Sequence, residues 1–159
     1  MKVLYLNQEE KEIIRLAIEN NRVAQQKIYV QFSSKMLSVC WQYVKDIHQA
    51  EDIMITAFMK VFTNLKNFQH NGSFEGWIRR IMVNECISHI RVQNKVSFIE
   101  DENYFEESFN NIESRFSVDD IQFLIDSLPD GYKIIFNLYA IEGYKHQEIA
   151  SMLGINEGT

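Results

Sequence analysis

Between residues 50 and 65, the apolar positions of the chain recur with the spacing of an α-helix and without a miss. They are Ala50, Ile53, Met54, Ala57, Phe58, Val61, Phe62 and Leu65, a set that falls on one helix face. A polar run at 67–73 follows and contains an Asn-Gly pair, which is typical of a turn. A second stripe begins at Phe74, so the pattern predicts two helices joined by a polar loop.

Two helices of the predicted set are apolar on two faces. The second helix of the pair changes face midway, from a set that begins at Phe74 to a set of Val83, Cys86, Ile87 and Ile90. A helix over about 24–44 has a second face made of Leu37, Cys40, Trp41 and Val44. Helices of this kind are usually buried between neighbours. With a short helix before them, they predict an all-α, four-helix N-terminal bundle over residues 1–94.

After residue 95 the helical periodicity fades, and the segment 95–117 is acidic and contains several aromatic residues. We interpret it as a linker, which is either a solvated tether or docks through its rings on this protein or a partner. Residues 118–159 return to short helical stripes, with Gly143 and Gly154 suited to helix C-termini. They predict a helix-turn-helix unit, whose recognition helix we expect to begin near Thr159.

Charge divides the chain unevenly, although its formal net charge is only −6. Residues 1–97 carry 13 Lys/Arg and 9 Asp/Glu, a net charge of +4, whereas residues 98–159 carry 3 and 13, a net charge of −10. This asymmetry indicates a part that faces a polyanion joined to an acidic part. The two cysteines, at positions 40 and 86, lie far apart in sequence, and we expect buried thiols in a reducing compartment.

The sequence lacks the signals of membrane, secreted, metal-binding and nucleotide-binding proteins. No apolar run is long enough to cross a membrane and no signal-peptide pattern follows Met1, so we expect a cytoplasmic protein without membrane insertion. The histidines and cysteines lack metal-ligand spacing, and no P-loop, dinucleotide fingerprint or Cys-x-x-Cys occurs. We therefore expect no metal, no cofactor, no catalytic residue and no enzymatic activity.

Aromatic residues and positive charges occur together along the second helix of the pair. Arg79, Arg80 and Arg91 share it with Phe74 and Trp77. This combination suits an unstacked nucleic-acid strand, because bases stack on rings while arginine holds phosphates. Trp77 is open to two interpretations, as a core residue or as a stacking surface. At least one of the two adjacent arginines must face phosphate or solvent.

Two sets of motifs, in this order along the chain, resemble one protein family. The first resembles region 2 of extracytoplasmic-function (ECF) sigma factors and consists of Ala50-Glu51-Asp52-Ile53, Phe58-Met59-Lys60 and Phe74-x-x-Trp77-Ile78-x-Arg80-Ile81-x-x-Asn84, with Arg91 closing the helix. The second resembles region 4 of the same family and consists of Leu128-Pro129, Phe136-x-Leu138, Glu142-Gly143-Tyr144 and Glu148-Ile149-Ala150-x-x-Leu153-Gly154-Ile155-x-x-Gly158-Thr159. Because both sets occur in order, the resemblance is far more specific than either set alone.

The resemblance implies a transcription initiation factor that directs core RNA polymerase to promoter DNA. Region 2 would bind the β′ clamp through Asp52, Ile55, Thr56, Met59 and Lys60. It would recognise the melted −10 element, with a flipped base in the loop, through Asn67, Phe68, Asn71, Ser73, Arg79, Arg80, Asn84 and Arg91. Region 4 would bind the β-flap and read the −35 element through Lys145, Asn156 and Thr159. An anti-sigma factor is the regulator that the resemblance implies.

Some positions depart from the family pattern and leave alternatives open. Ile55 and Thr56 stand where the family often has Gln-Glu, so Ile55 and Met59 are either an apolar contact for a partner or a wider core face. Lys145 stands where the family prefers a Ser or Thr cap, which predicts a less defined helix start.

The competing function is a polymerase-independent helix-turn-helix regulator with an N-terminal dimerisation or sensing bundle. In isolation, a homodimer through Ile55 and Met59 is a further expectation.

Overall fold

Helices form all the regular structure in the described part of the chain. The computed structural model describes residues 8–93 and 117–158, and within these ranges it contains no strand. The predicted all-α class is therefore confirmed. The chain divides into two compact units, residues 1–89 and 90–159. The predicted linker lies almost entirely outside the described residues, and the domain boundaries at 94 and 117 stay predictions.

The helices follow the order that the apolar stripes predict. The N-terminal part contains α1 (Gln8–Ile18), α2 (Arg22–Tyr43), α3 (Ile47–Asn64), a 3-10 turn (Leu65–Asn67) and α4 (Phe74–Val92). The C-terminal part contains α5 (Val118–Ser127), α6 (Asp130–Phe136), a π-helical turn (Asn137–Ile141) and α7 (His146–Leu153). The two predicted helices around the polar loop are α3 and α4.

Polar side chains fix where the helices of the first unit begin. Asp46 Oδ1 accepts a hydrogen bond from the N–H of Gln49 (2.9 Å), and Ser73 Oγ accepts one from the N–H of Gly76 (3.0 Å). At the start of α2, the side chain of Asn21 accepts a hydrogen bond from the N–H of Ala24. Each bond satisfies an N–H of the first turn that has no partner within its helix. The starts of α2, α3 and α4 therefore follow from where the sequence supplies Asn, Asp or Ser.

The cap of α3 gives a stability prediction. Asp46→Ala removes the acceptor, and we expect the free energy of unfolding to fall by about 1 kcal/mol. Asp46→Asn keeps a side-chain oxygen in the same place and should cost little. Urea denaturation followed by circular dichroism measures both variants. An equal loss in both would show that the negative charge at the helix N-terminus, and not the hydrogen bond, provides the stabilisation.

The stripes of α3 and α4 form much of the core of the first unit. The α3 stripe is buried except at its seventh member, Phe62, which is half-buried; the buried members are Ala50, Ile53, Met54, Ala57, Phe58, Val61 and Leu65. Both predicted faces of α4 are also buried at Phe74, Ile78, Met82, Val83, Cys86 and Ile87, whereas Trp77 and Ile81 of the first face are half-buried. Helical periodicity therefore predicted this packing, including the change of face along α4.

α2 does not bury the whole of its second predicted face. Cys40 and Val44 are buried, whereas Trp41 is 37% exposed. Lys45 Nζ lies 5.4 Å from the centroid of the Trp41 ring, a distance at which an ammonium group is attracted to the electron-rich ring face. The prediction was wrong at Trp41, because an indole can lie against the protein with one side in water.

In the second unit, α7 begins at His146 without a side-chain cap from the preceding Lys145. Lys145 has no side-chain acceptor, yet its backbone N–H donates a hydrogen bond to Glu148 Oε2 (2.8 Å). This is one half of a capping box, and it satisfies the N–H of the residue before the helix. The side-chain cap is missing, as the sequence predicted, and the Glu148 carboxylate supplies a different bond at this helix start. At the other end, Gly154 closes α7 with a left-handed φ of 68°, as predicted.

Candidate nucleic-acid interface

The 67–73 loop is held in place by one aromatic side chain. The backbone N–H of Phe68 donates a hydrogen bond to the carbonyl of Leu65 (3.1 Å), and its side chain is 7% exposed. Its ring centroid lies 5.2 Å from that of Phe74 and 5.4 Å from that of Trp77. Aromatic pairs at these distances stabilise a fold, so Phe68 fastens the loop to the first turn of α4.

Two loop residues have left-handed backbone, His70 with a φ of 58° and Gly72 with a φ of 112°. At Gly72 a Cβ would meet no atom within 4 Å, so conformation, and not crowding, favours glycine there. His70 carries a side chain in a region that few non-glycine residues occupy. Its ring packs 4.8 Å from the Phe68 ring. These reversals turn the chain into α4, where Ser73 caps the helix.

Alternate residues of the loop line a cleft of about 390 Å³. The loop contributes Asn67, Gln69, Asn71 and Ser73, and α4 contributes Gly76, Trp77 and Arg80. The buried ring of Phe68 also borders the cleft, whereas His70 and Gly72 do not line it. Its volume lies in the range of small-ligand sites. The lining combines amides, a hydroxyl, an indole ring and a guanidinium, which together can hydrogen-bond and stack on a planar group.

Part of the predicted −10 site meets at this cleft. The predicted residues that line it are Asn67, Phe68, Asn71, Ser73 and Arg80. Gln69 and Gly76 were not predicted, although Gln69 lies between two candidates in the same polar run. Trp77, which the sequence left open, is half-buried and lines the cleft.

Beyond the cleft, one face of α4 presents polar and positively charged groups. At about 3.6 residues per turn, Trp77, Arg80, Asn84 and Arg91 fall within an arc of about 60°. Arg80, Asn84 and Arg91 are exposed. Arg79 is half-buried and lies about 100° away around the helix. Because Arg80 belongs to both surfaces, the α4 face adjoins the cleft.

The outer face of α3 is a mixed apolar and charged surface. Its residues are all exposed: Asp52, Ile55, Thr56, Met59 and Lys60. The exposed fraction is 50% for Ile55 and 67% for Met59, so the interpretation of these two residues as a wider core face was wrong. Lys60 forms an ion pair with Glu85 of α4. We call this set the α3 outer face.

The remaining candidates lie in the second unit. Lys145, directly before α7, and Asn156, after it, are both exposed, and Thr159 lies outside the described residues. Within residues 8–93 and 117–158, no cluster of three or more His, Cys, Asp or Glu could hold a metal ion. No helix in the same ranges is long and apolar enough to span a membrane.

Two family profiles match the helices of this chain. The profile of Sigma-70 region 2 matches residues 28–96, and that of Sigma-70, region 4 matches residues 119–159. The chain belongs to the sigma-70 family. The region 2 match of this sigma factor contains the α3 outer face, the cleft and α4, and the region 4 match contains α5 to α7. The resemblance found in the sequence is therefore confirmed.

The relatives of this sigma factor include ECF proteins. The ECF RNA polymerase sigma factor SigE of Mycolicibacterium smegmatis is 30% identical over 81% of this chain and 52% of its own length. The RNA polymerase sigma-H factor of Pseudomonas aeruginosa is 24% identical over 96% and 86%. The ECF RNA polymerase sigma factor SigW of Bacillus subtilis is 27% identical over 80% and 76%. The chain thus spans about half the length of the first relative, and these similarities place it in the ECF group.

Proposed function

We propose that this ECF sigma factor directs core RNA polymerase to promoters, binding the β′ clamp with the α3 outer face and the melted −10 element with the cleft and α4. The observation that carries the proposal is the cleft, because loop amides, an indole ring and an arginine converge there on a volume of about 390 Å³. These groups match the planar, hydrogen-bonding edge of a flipped base.

Base capture assigns different roles to the two rings at the cleft. Extrusion of a base costs a few kcal/mol of stacking and pairing, which the protein must return. Trp77 is half-buried and lines the cleft, and stacking of a base on such a ring is worth about 1–3 kcal/mol. Phe68, at 7% exposed, supports the loop instead. The amides of Asn67, Gln69 and Asn71 supply donors and acceptors for the base edge.

The face of α4 would follow the non-template strand away from the flipped base. Arg80 and Arg91 are exposed on that face with Asn84 between them. Guanidinium groups suit phosphate oxygens because they present paired N–H donors. Asn84 offers both a donor and an acceptor to a base or sugar. Arg79 lies to the side and would reach a phosphate only from the edge of this face.

Salt dependence tests the phosphate contacts. The measured quantity is the slope of log K against log salt for binding of the −10 strand by the holoenzyme. If Arg79, Arg80 and Arg91 each neutralise one single-strand phosphate, together they should make this slope more negative by about 2. Each Arg→Ala change should reduce the slope by about 0.7. Lys27 is an exposed residue of α2, so Lys27→Ala is the matched control and should leave the slope unchanged. Equal slopes for all four variants would contradict the assignment.

The α3 outer face has the composition of a protein–protein contact. Ile55 and Met59 lie one turn apart and are exposed, with Asp52, Thr56 and Lys60 around them. Binding energy at interfaces concentrates in a few apolar or aromatic residues that a polar rim surrounds. We therefore assign this face to the β′ clamp. An anti-sigma factor that covers it would compete with polymerase, and a homodimer through it would do the same.

Region 4 would bind the β-flap and read the −35 element in the major groove. Lys145, Asn156 and Thr159 are the candidate contacts at and after α7. The proposal includes no catalytic residue and no cofactor, because a sigma factor of this kind selects and melts promoters without enzymatic activity of its own. It places the protein in the cytoplasm, where it meets core polymerase.

A binding experiment separates this function from that of a polymerase-independent regulator. The full chain is mixed with core polymerase and with promoter DNA, either fully paired or with an open −10 bubble. We expect it to bind core, and to bind the bubble template only in the presence of core. Tight binding to paired DNA without core, together with no binding to core, would instead support the regulator.

A further inference from the structure

The two glutamates of α4 are each paired with a lysine from another helix. Lys60 Nζ of α3 lies 2.5 Å from Glu85 Oε2. Lys35 Nζ of α2 lies 3.0 Å from Glu75 Oε1. The Glu85 side chain is 17% exposed, and the Glu75 side chain is 39% exposed. Neighbouring helices therefore neutralise both acidic residues of the helix that carries the proposed strand-binding face.

The two pairs lie at different angles from Asn84, which belongs to the proposed strand-binding face of α4. At about 100° per residue, Glu85 lies about 100° from Asn84 around the helix axis. By the same rule, Glu75 lies about 180° from Asn84. The pair with Lys60 therefore borders the strand-binding face, whereas the pair with Lys35 lies on the opposite side of the helix.

A second contact shows that the Glu85 side of α4 faces α3. His89 follows Glu85 by four residues, and its Nε2 atom lies 3.2 Å from Gln49 Oε1 of α3. Residues four apart lie on the same side of a helix. Lys60 therefore reaches Glu85 across the boundary between two adjacent helices, and the pair does not depend on a loop.

The Glu85 carboxylate is close enough to a strand on this face to repel it. A helix with its side chains is about 10–12 Å across, so groups about 100° apart on its surface are about 8–9 Å from each other. The Debye length at physiological ionic strength is about 8 Å. A phosphate beside Asn84 would therefore still be repelled by an unneutralised carboxylate, and the ammonium group of Lys60 cancels most of this repulsion.

We propose that Lys60 is a positioning residue for the melted −10 strand, because its ion pair holds and neutralises Glu85 beside the strand-binding face. The inference rests on the proposed function, which places the strand on this face of α4. It gives Lys60 a second role besides the clamp contact, and it gives Glu85 a role that the sequence did not indicate. Lys60 acts through Glu85 and does not itself touch DNA.

Four variants test this role in the holoenzyme, with core polymerase in excess so that every molecule of the sigma factor is bound. The measurement is the affinity for a single-stranded −10 oligonucleotide at low salt. Lys60→Gln should weaken binding about threefold, whereas Lys60→Arg should retain it. Glu85→Gln alone should bind at least as tightly as the unaltered chain. Lys60→Gln/Glu85→Gln should restore the affinity that Lys60→Gln loses, because the repelling charge is gone.

Lys35→Gln is the matched control. It removes the same charge from the other glutamate pair, and the two lysine side chains are similarly exposed, at 58% for Lys35 and 54% for Lys60. It should leave the affinity unchanged, because Glu75 lies on the far side of α4. Higher salt should reduce the defect of Lys60→Gln, since mobile ions screen a repulsion between charges. A defect that comes from a distorted α4 would persist in high salt.

Four results would overturn the role of Lys60 in an otherwise DNA-binding holoenzyme. They are unchanged binding by Lys60→Gln, a defect that persists in high salt, an equal loss in Lys35→Gln, and a double variant as weak as Lys60→Gln. The last result would show that Lys60 touches the strand itself or supports the fold. If the unaltered holoenzyme does not bind the oligonucleotide, the proposed function fails, and the role of Lys60 fails with it.

Discussion

Replacing Ile55 and Met59 together with aspartate is expected to weaken binding of core RNA polymerase by about 100-fold, which equals about 2.8 kcal/mol. These two side chains are 50% and 67% exposed on α3. They therefore contribute little to the fold, and the change should leave the free energy of unfolding nearly unaltered. In a complex with the clamp they would be buried, and a carboxylate without a partner in an apolar contact is strongly unfavourable.

The chain offers a matched control for this double variant. Val23 and Val30 of α2 are 63% and 68% exposed, so Val23→Asp/Val30→Asp adds the same charge at equally exposed apolar positions. Titration of fluorescently labelled protein with core polymerase measures both. The control should bind like the unaltered chain. If the two double variants lose affinity equally, the effect is one of net charge, and the α3 outer face is not the clamp contact.

Phe68→Ala is expected to reduce promoter opening at least tenfold while core binding persists. Phe68 is 7% exposed and contacts His70, Phe74 and Trp77. Its removal leaves a void under the loop, and we expect the free energy of unfolding to fall by about 3 kcal/mol, at the low end for buried phenylalanine. The loop residues that line the cleft would then lose their fixed positions. Fluorescence of a probe in the −10 bubble reports opening, and urea denaturation reports stability.

A loss of stability alone must be distinguished from a loss of the cleft. Phe62 is half-buried, and its ring stacks on Phe58 with centroids 6.2 Å apart, without lining the cleft. Phe62→Ala should lower stability and leave opening close to that of the unaltered chain. Phe68→Leu, which keeps an apolar group at the site, should recover most of the opening. Normal opening by Phe68→Ala would refute the role of the loop.

The sequence predicted the helices well because their signal is local. The apolar residues from Ala50 to Leu65 recur with the helical period, because a helix that buries one face needs apolar residues at that spacing. The change of face in α4 was also readable, because Val83 begins a new set at the same spacing. The family motifs then assigned both regions correctly. Periodicity gives a direction around the helix axis, but it does not give the width of the buried face.

That difference explains why Ile55 and Met59 were left open and why the prediction was wrong at Trp41. Ile55 and Met59 border the α3 stripe, and whether the core covers them depends on how closely neighbouring helices approach. Trp41 is similar, because a large ring near the end of α2 can be half covered. The burial of Phe68 was missed for another reason: a loop residue belongs to no repeat.

The alternation along the 67–73 loop separates what holds the loop from what it presents. Positions 67, 69, 71 and 73 present exposed side chains to the cleft, and position 68 packs inward and borders it with a buried ring. Positions 70 and 72 have left-handed backbone. Ser73 also caps α4, so three positions remain that can vary without disturbing the scaffold. A combinatorial library restricted to Asn67, Gln69 and Asn71 should therefore yield folded proteins with altered base preference. Variants from such a library could direct transcription from synthetic promoters that the unaltered protein does not use.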